Sequence, residues 1–180
     1  MSAVPDGKRP DLTAKQSRVH TMRFAHRIES LNEHRIGLDQ AVAGFGGAEL
    51  DPDAWRLVFD SHDALDIVAR NGLTGCYSTF VNNYAELLKT GAYLAGLTPH
   101  RKPHTEDAID AVRDDGGLTS EQAETLHDLF TFEGRVQHAS PDIDADDVRK
   151  FVELLRVGAP GLIRAVVDWL KRSGVYAPDS

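Results

Sequence analysis

The sequence predicts an all-α protein that folds as an antiparallel helical bundle. Apolar residues recur at helical spacing through most of the 180 residues, and helix-start and helix-stop signals separate the apolar runs. The sequence contains no sustained alternation of β-branched and polar residues, which would indicate strands. The apolar runs predict four long helices and additional short ones. Long helices joined by short loops pack as antiparallel neighbours, so we expect these helices to form an antiparallel bundle.

Residues that favour a helix start or stop bound each element. The first helix is predicted from about Thr13 to Val42, after a flexible segment of residues 1–12. The expected N-caps have side-chain oxygens that accept from the first turn: Asp51 (followed by Pro52), Thr119 and Asp144. The expected stops contain Gly or Pro: residues 44–47, 71–72, 98–99, 116–117 and 139–141. Residues 158–160, Gly-Ala-Pro, are expected to kink or briefly break the last helix. Residues 13–175 are therefore predicted to form one domain.

Charge, cysteine content and hydropathy limit the kinds of partner and the cellular compartment that we expect for this protein. The formal net charge is −8, so a nucleic acid or another polyanion would need a locally basic site. The single cysteine, Cys76, excludes an intrachain disulfide and favours a reducing compartment. No apolar run reaches about 18 residues and no signal peptide is evident, so we expect a cytoplasmic protein without a membrane partner.

Two segments of the chain are locally basic. The loop TPHRKPH contains His100, Arg101, Lys102 and His104, which could contact phosphates or the acidic surface of a partner. Along one side of the first helix lie more such residues: His20, Arg23, Arg27 and His34. Both patterns are also typical of solvated surfaces, so each segment is either a binding element or an exposed face.

A polar stripe follows the helix that begins after Thr119. His127 and His138 lie about 20° apart around a helix axis, and Thr131 and Gly134 share their stripe. The stripe is either a binding surface or the solvated face of an amphipathic helix. Gly134 costs about 1 kcal/mol relative to alanine in mid-helix, so we expect another helix or a ligand to approach it closely, preferentially across a homodimer contact.

The segment FEGRVQHASPDID, together with the helix that follows it, contains a spaced pattern: Phe132, His138, Ile143, Asp144 and Val148. This pattern resembles the HEPN superfamily (higher eukaryotes and prokaryotes nucleotide-binding), closest to the HepT-like toxins of toxin–antitoxin pairs. The resemblance covers residues 105–170 and implies a helical bundle, a homodimer, a cognate antitoxin and metal-independent cleavage of RNA.

The segment also departs from the family pattern. Glu133 stands where the family has its catalytic arginine, Gly134 where it has a polar partner, and Ser140 where some relatives have a tyrosine. An arginine is present as Arg135, three residues before His138. If catalysis persists, we expect Arg135 to stabilise charge on the phosphate and His138 to transfer a proton.

Two functions follow as expectations. The first is a toxin or defence protein that cleaves or binds RNA through Arg135 and His138. The second is a non-catalytic helical module that binds a nucleotide or a protein partner, with His127, Thr131, Gly134, Arg101 and Lys102 as candidate binding residues. A purely structural subunit of a larger assembly is a third alternative. No metal or cofactor site is predicted, because histidines and carboxylates do not combine at helical metal-ligand spacing.

Overall fold

The computed structural model describes residues 9–44, 51–138 and 144–178. Within these ranges the chain forms six helices and no strand: α1 (Ala14–Gly44), α2 (Pro52–Asp60), α3 (Ala64–Ala95), α4 (Thr105–Asp114), α5 (Ser120–Gln137) and α6 (Ala145–Arg172). The prediction of an all-α helical bundle is confirmed. The turns expected at residues 45–47 and 139–141 lie outside the described residues. No helix in the described part of the chain is both long and apolar enough to cross a membrane.

Side-chain contacts fix the direction of α1 relative to α3. Arg27 donates to Asn83, and Gly37 lies close to the sulfur of Cys76. The residue number falls along α3 as it rises along α1, so the two helices are antiparallel.

Contacts on α6 fix the directions of the other long helices. Phe132, near the end of α5, stacks on Phe151 in the first half of α6. Gln122, near the start of α5, lies close to Gly161, which is further along α6. Helices α5 and α6 are therefore antiparallel. Tyr84 donates to the Leu162 carbonyl, and Gly91 faces Trp169, so α3 and α6 run in the same direction. The four long helices thus alternate in direction along the chain.

The predicted N-caps are confirmed. Asp51 accepts a hydrogen bond from the backbone N–H of Asp53 at 3.1 Å, and Asp144 accepts from that of Asp147 at 2.8 Å. Thr119 forms a capping box with Gln122, in which each side chain binds the other residue's backbone N–H. These caps satisfy donors that the first turn of a helix leaves unpaired.

The predicted extent of the second helix is wrong. Helix α2 ends at Asp60, and α3 begins at Ala64 and continues through Asn71 and Gly72, where a stop was expected. Asp63 causes the earlier division, because its side chain caps α3 by accepting from the backbone N–H of Leu65 at 2.8 Å. A glycine inside a helix costs only about 1 kcal/mol, which the buried residues further along α3 offset.

The break expected in the last helix is also absent. Helix α6 is continuous from Ala145 to Arg172, with Pro160 exposed inside it. Leu155 and Leu162, one on each side of the proline, are both buried in the core. Their packing holds both halves of α6 against the bundle, which offsets the hydrogen bond that a proline removes.

Gly91 and Gly117 pack closely against the buried side chain of Trp169. A Cβ atom added at Gly91 would lie 2.7 Å from the Trp169 ring, and one added at Gly117 would lie 2.6 Å from it. The indole Nε1 donates to Asp115 at 2.9 Å. The second half of α3 is therefore packed tightly against α6, and this packing fixes the opposite face of α3, which forms part of the site described next.

Candidate functional site

The first half of α1, the second half of α3 and the loop after α3 enclose a cleft of about 370 Å³, which we call the basic cleft. Its basic side chains come from all three segments: His20, Arg23, Arg27, Lys89, Arg101 and Lys102. Among the described lining residues, the five Lys and Arg side chains outnumber the two carboxylates, Asp11 and Glu86. The two basic segments noted in the sequence therefore converge on one cavity, whose volume lies in the range of small-molecule sites.

The loop that supplies Arg101 and Lys102 is held at the end that follows α3. Gly96 ends α3 in the left-handed conformation, with φ of 78°, which glycine adopts without strain. Thr98 is buried, and its hydroxyl donates to the His100 carbonyl at 3.2 Å. The exposed side chains of Arg101 and Lys102 thus line the cleft from an anchored loop.

Arg27 is the most constrained cation of the basic cleft. Its guanidinium donates to Asn83 Oδ1 at 3.2 Å and lies 3.6 Å from a carboxylate oxygen of Glu86. Asn83 is itself oriented by donating to the Ser30 hydroxyl at 3.0 Å. The guanidinium is therefore positioned before any ligand arrives, which reduces the entropy lost on binding.

His20 lies where the cations of α1 and the loop meet. Burial lowers the pKa of His20, and the positive charges of Arg23 and Arg101 lower it further. Its Nδ1 atom is buried and has no hydrogen-bond partner among the described residues. A bound anion would offset the repulsion between these cations.

Part of the predicted flexible lead-in contributes to this cleft. Residues 1–8 lie outside the described residues, whereas Pro10, Asp11 and Leu12 line the basic cleft. Arg9 donates to the Ala95 carbonyl at 3.3 Å, which ties the segment to the end of α3. Sequence analysis did not identify these residues, nor Lys89 and Glu86 on α3.

The predicted binding residues of α5 line a different cavity. His127, Thr131 and Gly134 border a cleft of about 360 Å³, which we call the α5 cleft. Its other lining residues come from α3, the loop before α4, α4 and α5: Asn82, His104, Thr105, Glu106, Phe130, Glu133 and Gln137. The candidate binding residues therefore divide between two sites, since Arg101 and Lys102 line the basic cleft.

Glu133 is a lining residue of the α5 cleft that was not among the candidates predicted from the sequence. Its side chain is only 3% exposed. One carboxylate oxygen accepts from the Ser78 hydroxyl at 2.8 Å, and the other accepts from Asn82 at 3.2 Å and Gln137 at 2.8 Å. The position of the family arginine is thus occupied by a buried acid with neutral hydrogen-bond partners.

The predicted catalytic residues lie at the end of α5. Arg135 donates to Asp147 of α6 at 2.7 Å, and its guanidinium carbon lies 5.7 Å from the centre of the Phe132 ring. His138 is exposed and follows the last residue of α5, with its backbone N–H donating to the Gly134 carbonyl. A phosphate at Arg135 would have to compete with the Asp147 carboxylate. Ser140 and Ile143, which belong to the family pattern, lie outside the described residues.

His127 and Gly134 are two further residues of α5 that the sequence predicted as candidates. The His127 ring lies 3.4 Å from a carboxylate oxygen of Asp110, which also binds Arg113 at 2.8 Å. Among the described residues outside the neighbouring turns of α5, no atom lies within 4 Å of a Cβ built on Gly134. The described residues therefore do not make the close approach expected at Gly134, and the homodimer contact stays a prediction. In the described part of the chain, no three His, Cys, Asp or Glu side chains are grouped to hold a metal ion.

Comparison with known proteins does not extend these observations. No family model, curated protein or solved structure matches the chain. Membership of the HEPN superfamily therefore stays a prediction from residues 105–170, and the geometry of the two clefts is the basis for any function.

Proposed function

We propose that this chain is a non-catalytic helical module that binds a phosphorylated small ligand of the nucleotide class in the basic cleft. The observation that carries the proposal is the convergence of five Lys and Arg side chains on one cavity, in a chain whose net charge is −8. Cations that lie close together repel one another even when the chain as a whole is acidic. An anionic ligand compensates for that repulsion.

The chemistry of the lining fits phosphate oxygens. Arginine presents planar N–H pairs that bind phosphate in a bidentate manner, and lysine adds a compact positive charge. Arg27 is held by Asn83, whereas Arg101 and Lys102 are exposed on the loop. One preplaced cation and two adjustable ones would surround a terminal phosphate group.

The apolar part of the lining fits the rest of such a ligand. Leu12, Tyr93 and Leu94 border the same cavity beside the cations. Small-molecule sites combine apolar walls with a few placed polar groups. A base or sugar would contact this wall while the phosphates meet the cations.

A ribonuclease of the toxin type is the second candidate, and the observation that favours it is the exposure of His138 at the end of α5. It has less support, because Arg135 is paired with Asp147 and Glu133 occupies the position of the family arginine. A homodimer and a cognate antitoxin belong to this second candidate.

Calorimetric titration tests the first proposal. ATP and inorganic pyrophosphate are titrated, without metal, into the wild type and into an Arg23→Gln/Arg101→Gln variant. We expect the variant to bind both ligands at least about a hundredfold more weakly, because it loses two arginines whose charge-assisted hydrogen bonds contribute about 1.5–3 kcal/mol each. Arg164→Gln, which neutralises an exposed arginine on α6, is the control and should bind as the wild type does. Wild-type protein that binds neither ligand would contradict the proposal.

Cleavage of labelled single-stranded RNA and transfer RNA, without metal, tests the second candidate. Cleavage by the wild type that is lost in His138→Ala would establish the ribonuclease. The non-catalytic proposal expects no cleavage by either protein.

A further inference from the structure

We infer that the α5 cleft is a binding site for a cationic group, a guanidinium or a primary ammonium, with Glu133 as its anionic ligand. This inference is independent of the phosphate proposal, because it concerns a different cavity and the opposite charge.

The carboxylate of Glu133 is buried but borders the cavity. Its hydrogen-bond partners are a hydroxyl and two amides, from Ser78, Asn82 and Gln137. Asn82 and Gln137 are exposed at the surface, so the carboxylate lies directly beneath them. A ligand that displaces or shares these amides reaches Glu133 without any change in the core.

Among the described residues, the hydrogen bonds of Glu133 leave one acceptor position open. An ionised carboxylate offers about four lone-pair sites, of which the donors from Ser78, Asn82 and Gln137 use three. Ser78, Asn82 and Gln137 are neutral donors, so none of them brings a positive charge next to the carboxylate. A donor that also brings a positive charge would fill the open position and compensate the charge.

The rest of the lining favours a cation over an anion. None of the described residues that line the α5 cleft is a lysine or an arginine. Glu106 adds a second carboxylate, and His104 and His127 add imidazoles that accept hydrogen bonds when neutral. Phe130 borders the same cavity, and aromatic rings attract cations through their faces.

Gly134 gives the ligand room. A Cβ at this position would meet no atom of another described element within 4 Å, so the described surface of α5 beside Glu133 is open. A planar guanidinium or an ammonium on an alkyl chain can therefore approach α5 closely at this point. This space accounts for a mid-helix glycine that no neighbouring helix requires.

Titration calorimetry with agmatine and with an acetylated, amidated Gly-Arg-Gly peptide tests the inference. Both carry a guanidinium and neither carries a carboxylate, so the pair distinguishes a free small molecule from an arginine side chain of a partner. We expect the wild type to bind at least one of them, and Glu133→Gln to bind it about tenfold or more weakly. The glutamine can still accept from Asn82 and Gln137 and donate to Ser78, so the fold should persist. Glu121→Gln, an exposed glutamate in the first turn of α5, is the matched control and should retain wild-type affinity.

Gly134→Leu provides a second test that leaves the carboxylate in place. The leucine side chain would fill the cavity, so we expect it to abolish binding of the same probe. The melting temperature should stay the same or rise, because leucine is a better helix former than glycine. This variant decides the question if Glu133→Gln fails to fold. A wild type that binds neither probe at millimolar concentration, or probe binding that survives in Gly134→Leu, would overturn the inference.

Discussion

The two clefts have nearly the same volume, about 370 and 360 Å³, but they acquire opposite charges in different ways. The basic cleft gathers half-buried and exposed cations from α1 and from the later part of α3 with the loop that follows it, which is distant from α1 in sequence. The α5 cleft depends mainly on Glu133, which is buried and accepts hydrogen bonds from three neutral groups.

The exposure of the charged groups affects how each cleft can select a ligand by charge. An exposed cation is solvated and adds attraction that salt screens, so several must act together. A buried carboxylate is poorly screened, so a single one can select a cation. We therefore expect binding in the basic cleft to weaken with salt more strongly than binding in the α5 cleft.

Charge reversal in the loop should have the largest effect on this comparison. The double variant Arg101→Glu/Lys102→Glu replaces two exposed cations of the basic cleft with carboxylates. We expect pyrophosphate affinity, measured by calorimetry, to fall by about a hundredfold or more with little change in melting temperature. The variant Arg164→Glu/Lys171→Glu makes the same change in net charge on the exposed surface of α6. Equal losses in both variants would mean that net charge, and not the cleft, determines binding.

Gly91→Ala should destabilise the wall of the basic cleft. The added methyl group would lie 2.7 Å from the Trp169 ring and 2.8 Å from Leu170, so α3 or α6 must shift. Overpacking of this kind costs about 1–3 kcal/mol in the free energy of unfolding. Urea denaturation followed by circular dichroism measures the loss, and unchanged stability would show that the packing behind the cleft is loose.

Gly134→Ala should have a smaller effect of the opposite sign. The added methyl group meets no atom of another described element within 4 Å, and alanine is the better helix former. We expect the free energy of unfolding to rise by about 1 kcal/mol in the same denaturation assay. A loss of stability would instead indicate a close contact at Gly134, and a concentration-dependent loss would support the predicted homodimer.

The helix caps show which parts of the fold follow from the sequence. Asp51, Thr119 and Asp144 were predictable because a cap depends on residues two or three positions away. The stop expected at Asn71 and Gly72 was wrong because burial along α3, which is a tertiary effect, outweighs the local preference of glycine.

The sites were less predictable than the caps. The sequence shows a basic face on the first helix and a basic loop, but their convergence depends on how α1 packs on α3. Glu133 did leave a signal, because it follows Leu126 and Leu129 at helical spacing and so falls on the buried face of α5. The donors that make this burial tolerable, Ser78 and Asn82, come from another helix and were not foreseeable.

The pH dependence of stability should show the smallest effect. The folded state lowers the pKa of His20 below its ordinary value of 6.5, so the unfolded chain binds this proton more readily. The stability that neutral His20 allows is present above pH 6.5 and is lost as the pH falls through the lowered pKa. We expect urea midpoints of the wild type to fall relative to those of His20→Gln below pH 6.5. A difference between the two proteins that is constant from pH 8 to 5 would contradict this coupling.

The most direct test is a crossed titration. It asks whether the two clefts, which are similar in volume, bind ligands of opposite charge. Pyrophosphate and agmatine are each titrated into the wild type, into Arg101→Glu/Lys102→Glu and into Glu133→Gln. The account predicts that the loop variant loses only pyrophosphate and that Glu133→Gln loses only agmatine. Loss of both ligands in either variant, or retention of both ligands in both variants, would contradict it.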